Sequence, residues 1–184
     1  MFSDLIEFLQ TKTTNDQAEV KDLHNSCCDS EKVVCDFNEI KTKFYTGQQE
    51  EEPRSVAGLL FCERNRLWFV QPCDYYVISS DDVDITTLSE HLASDGEIQN
   101  KISGTVSALD YMIYRKGPTA DFSSFFQLKQ RNKIHTIILV DLTDQDYLKL
   151  RIGSLDRLNI LNNHEILGEV KIFECKDFKK RFPS

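Results

Sequence analysis

The stretch that decides the fold is RSVAGLLFCERNRLWFVQPCD, residues 54–74. Its two apolar runs, 56–62 and 67–71, flank the polar segment 63–66, which predicts two strands joined by a tight turn. Because hydrophobicity is almost continuous in both runs, we expect both faces of these strands to be buried. Pro72 cannot donate a backbone hydrogen bond, so it should lie at a bulge or a sheet edge.

Apolar periodicity on either side of this hairpin predicts further helices and strands. Before it, residues 36–45 place apolar side chains at helical spacing. After it, we expect a strand continuation at 75–79, a helix from 98 to about 113, a buried strand at 133–142, a helix at 144–161 and a half-buried strand at 169–175. Gly104 lies on or beside the apolar stripe of the helix from 98, where its lack of a side chain predicts that the helix lies close to a sheet.

The order of these elements predicts an α/β fold. A helix between two parallel strands requires a right-handed crossover that packs on the sheet. We therefore expect a single domain at 33–184 with a central mixed β-sheet flanked by helices. Residues 1–32 are expected to form an N-terminal helix and an acidic lead-in. His135 lies within the buried strand and is expected to be a core residue rather than a base.

Charge restricts the classes of partner. The chain carries a net charge of -8, and its first 56 residues hold 6 Lys/Arg against 12 Asp/Glu. A protein that binds duplex DNA alone usually presents a basic face to the phosphates. The balance therefore favours a protein partner over nucleic acid, although basic clusters occur at Lys129, Arg131 and Lys133 and within 176–181.

Membrane and metal signals are weak. No apolar run reaches the roughly 20 residues of a membrane span. The acidic amino terminus does not resemble a secretory signal, so we expect a cytoplasmic protein. Cysteines in that compartment are usually reduced, so we expect free thiols. His24, Cys27, Cys28 and Cys35 are zinc-type ligands, but their spacing matches no standard knuckle. Whether they bind a metal is left open, and no cofactor is predicted.

In the order and spacing of its elements, the chain resembles the PD-(D/E)xK nuclease superfamily over residues 33–175. Members of that family bear Asp on one strand of the hairpin and (Glu/Asp)-x-Lys on the other. The carboxylates hold one or two divalent cations against the scissile phosphate, and the lysine supports the transition state. The resemblance implies a restriction-endonuclease-like α-β-β-α-β-α-β core with both sets of groups on the same side of the hairpin.

The residues at the family positions lack this chemistry. The Asp position falls at Ala57, and the triplet falls at Gln71, Pro72 and Cys73. Alanine binds no metal, neutral glutamine is a poor Mg²⁺ ligand, and cysteine supplies no stable cation. No family catalytic role transfers, so we expect a catalytically inactive nuclease-like domain.

Such a domain is expected to serve as a protein-interaction or regulatory subunit, and the resemblance suggests a bacterial defence or mobile-element system as its setting. Phe122, Phe125 and Phe126 are candidates for the interaction surface.

Two other functions remain open. Asp74, with Asp36 or Glu39, would rebuild a displaced site for a DNA endonuclease that depends on a divalent metal, Mg²⁺ or Mn²⁺. A variant of this hypothesis pairs Asp74 with Asp141. Alternatively, the basic clusters would bind nucleic acid without cleaving it, and the affinity would then fall steeply with salt.

Overall fold

Six strands form one mixed sheet and follow the order of the chain. The computed structural model describes residues 17–24, 26–47, 51–62, 66–72, 97–116, 134–141 and 169–184, except the side chains of Phe61, Cys62, Arg66, Glu97 and Lys116. The strands are β1 (Gln17–Glu19), β2 (Val33–Asp36), β3 (Gly58–Cys62), β4 (Arg66–Pro72), β5 (Ile134–Val140) and β6 (Val170–Glu174). Strands β1 to β4 pair antiparallel, and the β4–β5 and β5–β6 pairs are parallel.

Three α-helices are present among the described residues: α1 (Phe37–Tyr45), α2 (Glu97–Lys116) and α3 (Cys175–Arg181). A 3-10 turn (Val20–Asp22) follows β1. No described helix has the length and apolar character needed to cross a membrane.

The predicted α/β class with a mixed sheet and flanking helices is confirmed. The hairpin, α1, α2, β5 and β6 all form within a few residues of their predicted positions. The segments predicted at 1–10, 75–79 and 144–161 lie outside the described residues. Strands β1 and β2 and helix α3 were not expected, and β1, from within the lead-in, pairs with β2 in the same sheet.

The sheet separates two apolar clusters, because successive side chains of a strand point to opposite faces. Along β4, Leu67 and Phe69 enter one cluster, whereas Trp68 and Val70 enter the other. We call the first the α1/α2 core, which also contains Phe37, Ile40, Leu59, Ile102, Leu109 and Ile138. We call the second the α3 core, which also contains Val20, Leu23, Ala57, Leu60, Ile137, Phe178 and Phe182. Burial on both faces of the hairpin is thus confirmed.

Pro72 ends β4 at a position with one partner strand among the described residues. It pairs with Leu139 of β5, whereas the β3–β4 register ends at the Gly58–Val70 pair. The missing N–H of Pro72 therefore interrupts no pairing with β3, which agrees with the expectation of a local sheet edge.

Helices α1 and α2 hold the segment that enters β3. A Cβ atom on Gly104 would overlap the carbonyl oxygen of Arg54, so α2 approaches this backbone as closely as a glycine allows. The close approach predicted for Gly104 is therefore made to the segment before β3 and not to a strand of the sheet. The next residue, Thr105, accepts a hydrogen bond from the Val56 N–H at 2.9 Å. On the α1 side, the buried Lys41 ammonium donates to the Pro53 carbonyl at 2.7 Å. These contacts fix where the chain turns into the hairpin.

Candidate functional site

The two hairpin positions singled out by the family resemblance, Ala57 and Gln71, flank the last pair of the β3–β4 register. They lie on opposite faces of the sheet, so the same-side placement that the resemblance implies is wrong for these two positions. Ala57 precedes Gly58 and Gln71 follows Val70, and Gly58 and Val70 form the last pair of the hairpin. Ala57 belongs to the α3 core. Gln71 alternates with Val70 and pairs with Ile138 of the α1/α2 core, so its side chain shares the other face.

Both positions are closed to solvent. Ala57 is 3% exposed and Gln71 is 6% exposed. The Ala57 carbonyl accepts a hydrogen bond from the Phe37 N–H at 2.9 Å, which fixes the backbone at the start of α1. The Gln71 amide nitrogen donates to the Pro72 carbonyl at 2.6 Å, and its side-chain oxygen has no hydrogen-bond partner among the described residues. Neither residue supplies a carboxylate.

The acids proposed to rebuild a site have other roles where the structure describes them. The Asp36 carboxylate caps α1 by accepting a hydrogen bond from the Glu39 N–H at 3.1 Å. Glu39 is exposed, and its carboxylate lies 3.9 Å from the Lys43 ammonium on the next turn, an ordinary surface pair. Asp141 is exposed at the end of β5. Cys73 and Asp74 lie outside the described residues.

The predicted interaction surface is outside the described part of the chain, because it consists of Phe122, Phe125, Phe126, Lys129, Arg131 and Lys133. Within the described part, the exposed large apolar side chains are Val33 and Tyr114. Single exposed apolar residues of this kind are normal on a protein surface.

A cysteine pair supplies a feature that the sequence did not predict. Cys28 and Cys175 form a disulfide although 147 residues separate them, and their Cα atoms are 5.1 Å apart. The expectation of reduced thiols is therefore wrong for this pair in the structure. The bond joins the segment after the 3-10 turn to the first residue of α3.

Asp29 completes a small polar group around this disulfide. Its Oδ1 atom lies 3.3 Å from the Cys175 sulfur and 2.5 Å from the Lys179 ammonium. The hydrogen bond from Lys179 lowers the pKa of the Asp29 carboxyl below its ordinary value. The carboxylate is thus ionised and held beside the two sulfur atoms.

The group lies at the carboxyl ends of the parallel strands. Cys175 directly follows β6, and the thiol of the neighbouring Cys27 donates to the Leu139 carbonyl of β5 at 3.4 Å. Ligand crevices in open α/β sheets form at this end of the strands. Both its position in the fold and its chemistry therefore make the group of Cys28, Asp29 and Cys175 a candidate site.

The metal ligands considered from the sequence are not gathered here. Of His24, Cys27, Cys28 and Cys35, only Cys28 belongs to the described set of three metal-type ligands, which is Cys28, Asp29 and Cys175. Cys35 instead lies in the α1/α2 core. No local spacing could have revealed the set, because Cys175 comes from the other end of the chain.

The basic residues of 176–181 lie on α3, and two of them neighbour acids. The Lys176 ammonium lies 3.0 Å from the Glu174 carboxylate, and Lys179 pairs with Asp29. Lys180 and Arg181 are exposed. Half of the basic charge of this cluster is therefore balanced within the protein.

His135 is a core residue, as predicted. Its ring stacks on Trp68 with the centroids 4.6 Å apart, and its Nδ1 atom accepts a hydrogen bond from the Glu169 N–H at 3.0 Å.

No protein-family model, curated protein or solved structure matches this chain.

Proposed function

We propose that this chain is a non-catalytic, nuclease-like α/β domain that acts by binding a protein partner. The observation that carries the proposal is the placement of Ala57 and Gln71, which are buried on opposite faces of the sheet. A hairpin nuclease needs two carboxylates that converge on one metal ion. Here the two positions supply neither the carboxylates nor a shared face.

The immediate surroundings of Ala57 support the same conclusion. Ala57 is 3% exposed and belongs to the same apolar cluster as Leu60, Trp68 and Val70. An ion in such surroundings would lose its hydration without polar groups to replace it. The position is therefore suited to packing and not to holding a cation.

Charge favours a protein with a basic surface as the partner. Several exposed acids lie between residues 17 and 54, namely Asp22, Asp29, Glu31, Glu39, Glu51 and Glu52. Complementary charge accelerates and orients association between proteins. Of these acids, Asp29, Glu31, Glu39 and Glu52 lie within 4 Å of a lysine ammonium. The support for a basic partner therefore comes mainly from Asp22 and Glu51 and from the acid excess of the first 56 residues.

The proposal is tested by measuring binding between the purified chain and the protein products of neighbouring genes. A complex is expected with a partner that has a basic surface, and Asp22→Lys/Glu31→Lys should weaken it more than the exposed control Glu169→Lys. Absence of any complex with these proteins would contradict the proposal. Salt-dependent binding to duplex or single-stranded DNA with micromolar affinity would also contradict it, because that outcome would favour the nucleic-acid function.

A further inference from the structure

Cys28, Asp29 and Cys175 place three potential metal ligands around one point. The two sulfur atoms and a carboxylate oxygen all lie within 4.8 Å of one another. Soft thiolates together with one oxygen ligand are typical of sites for Zn²⁺ and similar cations. The residues come from two segments that the fold brings together, the stretch before β2 and the start of α3.

We propose that these three residues form a redox-gated binding site for one thiophilic divalent cation, of which Zn²⁺ is the natural example. The reduced dithiol is the binding form, and the Cys28–Cys175 disulfide is the closed form that binds no metal. This inference is independent of the proposed protein partner.

The chemistry of the two forms balances with an external dithiol or phosphine as the reductant. Reduction breaks the sulfur–sulfur bond with two electrons from the reductant and two protons, which come from the dithiol itself or, with a phosphine, from water, and it leaves a thiol on Cys28 and on Cys175. Binding of the cation then releases the two thiol protons, because the ligands are thiolates. Oxidation of the two thiolates by a low-molecular-weight disulfide, which takes up the two electrons and is cleaved to two thiols, expels the cation and restores the Cys28–Cys175 disulfide.

The backbone geometry suits both forms. A disulfide holds its sulfur atoms about 2.0 Å apart, whereas tetrahedral zinc with Zn–S bonds of about 2.3 Å holds them about 3.8 Å apart. Side-chain rotation at Cys28 and Cys175, whose Cα atoms are 5.1 Å apart, can produce the larger separation. Asp29 supplies the third ligand from the solvent side, since its side chain is 81% exposed, and water would complete the coordination.

The Lys179 ammonium competes with a bound cation for the Asp29 carboxylate. It lies 2.5 Å from the Asp29 carboxylate, where a bound cation would also lie. A bound cation must therefore either displace the Lys179 ammonium from one Asp29 oxygen or bind more weakly because the two positive charges repel. Removal of this charge should strengthen metal binding, an effect that a purely structural lysine would not produce.

The experiment compares two samples of the full chain in chelator-free buffer under argon. One is reduced with tris(2-carboxyethyl)phosphine, and the other contains no reductant and keeps the disulfide. Co²⁺ and Zn²⁺ are added, and the bound metal is measured by equilibrium dialysis and by the Co²⁺–thiolate charge-transfer absorption. We expect one ion per reduced chain and none per oxidised chain. We also expect Asp29→Asn to weaken binding by at least about tenfold and Lys179→Gln to strengthen it by about two- to fivefold.

Two further variants separate the site from other thiols. Cys28→Ser should abolish the charge-transfer band, whereas Cys35→Ala, which changes a thiol in the α1/α2 core, should leave it unchanged. The proposal fails if the reduced chain binds no Co²⁺ at micromolar concentration. It also fails if the oxidised chain binds equally well or if Asp29→Asn has no effect on affinity.

Discussion

Ala57 and Gln71 flank the last pair of the hairpin register, Gly58 with Val70, yet Ala57 belongs to the α3 core and Gln71 faces the α1/α2 core. The separation arises because Ala57 lies just before β3, where its carbonyl accepts from the Phe37 N–H and the regular alternation has not begun. Restoring acids at both positions would therefore place them on different sides of the sheet.

The first prediction concerns a carboxylate at the apolar position. Ala57→Asp should lower the free energy of unfolding by about 3–5 kcal/mol at neutral pH, because an unpaired charge would be buried in the α3 core. The loss should be measured by urea denaturation, with Gln99→Asp on the exposed face of α2 as the control. A stable Ala57→Asp variant that gains a Mg²⁺ site would show that the position opens to solvent.

The second prediction concerns the disulfide between Cys28 and Cys175. It closes a loop with a sequence separation of 147 residues, so its reduction should lower the free energy of unfolding by roughly 2–5 kcal/mol. Denaturation should be followed with and without reductant, in the presence of a chelator so that no metal binds the thiols. The Cys28→Ala/Cys175→Ala variant should be insensitive to reductant, and equal sensitivity in both proteins would count against the assigned bond.

The third prediction concerns the close approach of α2 to the segment before β3. Gly104→Ala should destabilise the protein by about 1–3 kcal/mol, because the added methyl group overlaps the Arg54 carbonyl. Ser103→Ala, on the exposed side of the same helix, serves as the control and should have little effect. If thermal unfolding shows Gly104→Ala to be as stable as the control, the helix does not lie as close as described.

The fourth prediction concerns the ion pair between Asp29 and Lys179. The folded-state pKa of Asp29 should lie below its ordinary value of 3.8, because the Lys179 ammonium stabilises the carboxylate. The pair therefore stabilises the fold above that ordinary pKa, and this contribution is lost as pH falls through the lowered pKa.

An NMR titration of the Asp29 carboxyl carbon measures this shift directly. In Lys179→Gln the pKa should return towards 3.8, whereas Lys180→Gln, which changes an exposed residue of the same helix, should leave it unchanged. An unshifted pKa in the wild-type protein would argue against the pair.

The hairpin and the parallel strand β5 could be predicted because their apolar runs are long and bounded by polar segments. Strand β2 has four residues and runs directly into α1, so periodicity did not separate it from the helix. Strand β1 has three residues and owes its structure to pairing with β2. Such short strands depend on neighbours that local pattern does not reveal.

The candidate sites were less predictable than the fold. Residue types alone showed that Ala57 and Gln71 lack metal-binding carboxylates. The face of the sheet on which each side chain lies could not be predicted, because the regular alternation is broken at Ala57, just before β3. The link between Cys28 and Cys175 depends on tertiary contact across most of the chain. Asp29 becomes a candidate ligand only because the fold brings Cys28 and Cys175 together beside it, and its local sequence contains no motif that predicts this role.

The central claim is that the hairpin does not perform metal-dependent phosphodiester cleavage, and a DNA cleavage assay tests it most directly. Supercoiled and linear DNA should be incubated with the purified chain and millimolar Mg²⁺ or Mn²⁺, with Asp74→Ala as the matched variant. We predict that neither protein cleaves DNA above the rate of buffer alone. Cleavage by the wild-type chain that is abolished in Asp74→Ala would contradict the account and establish a displaced nuclease site.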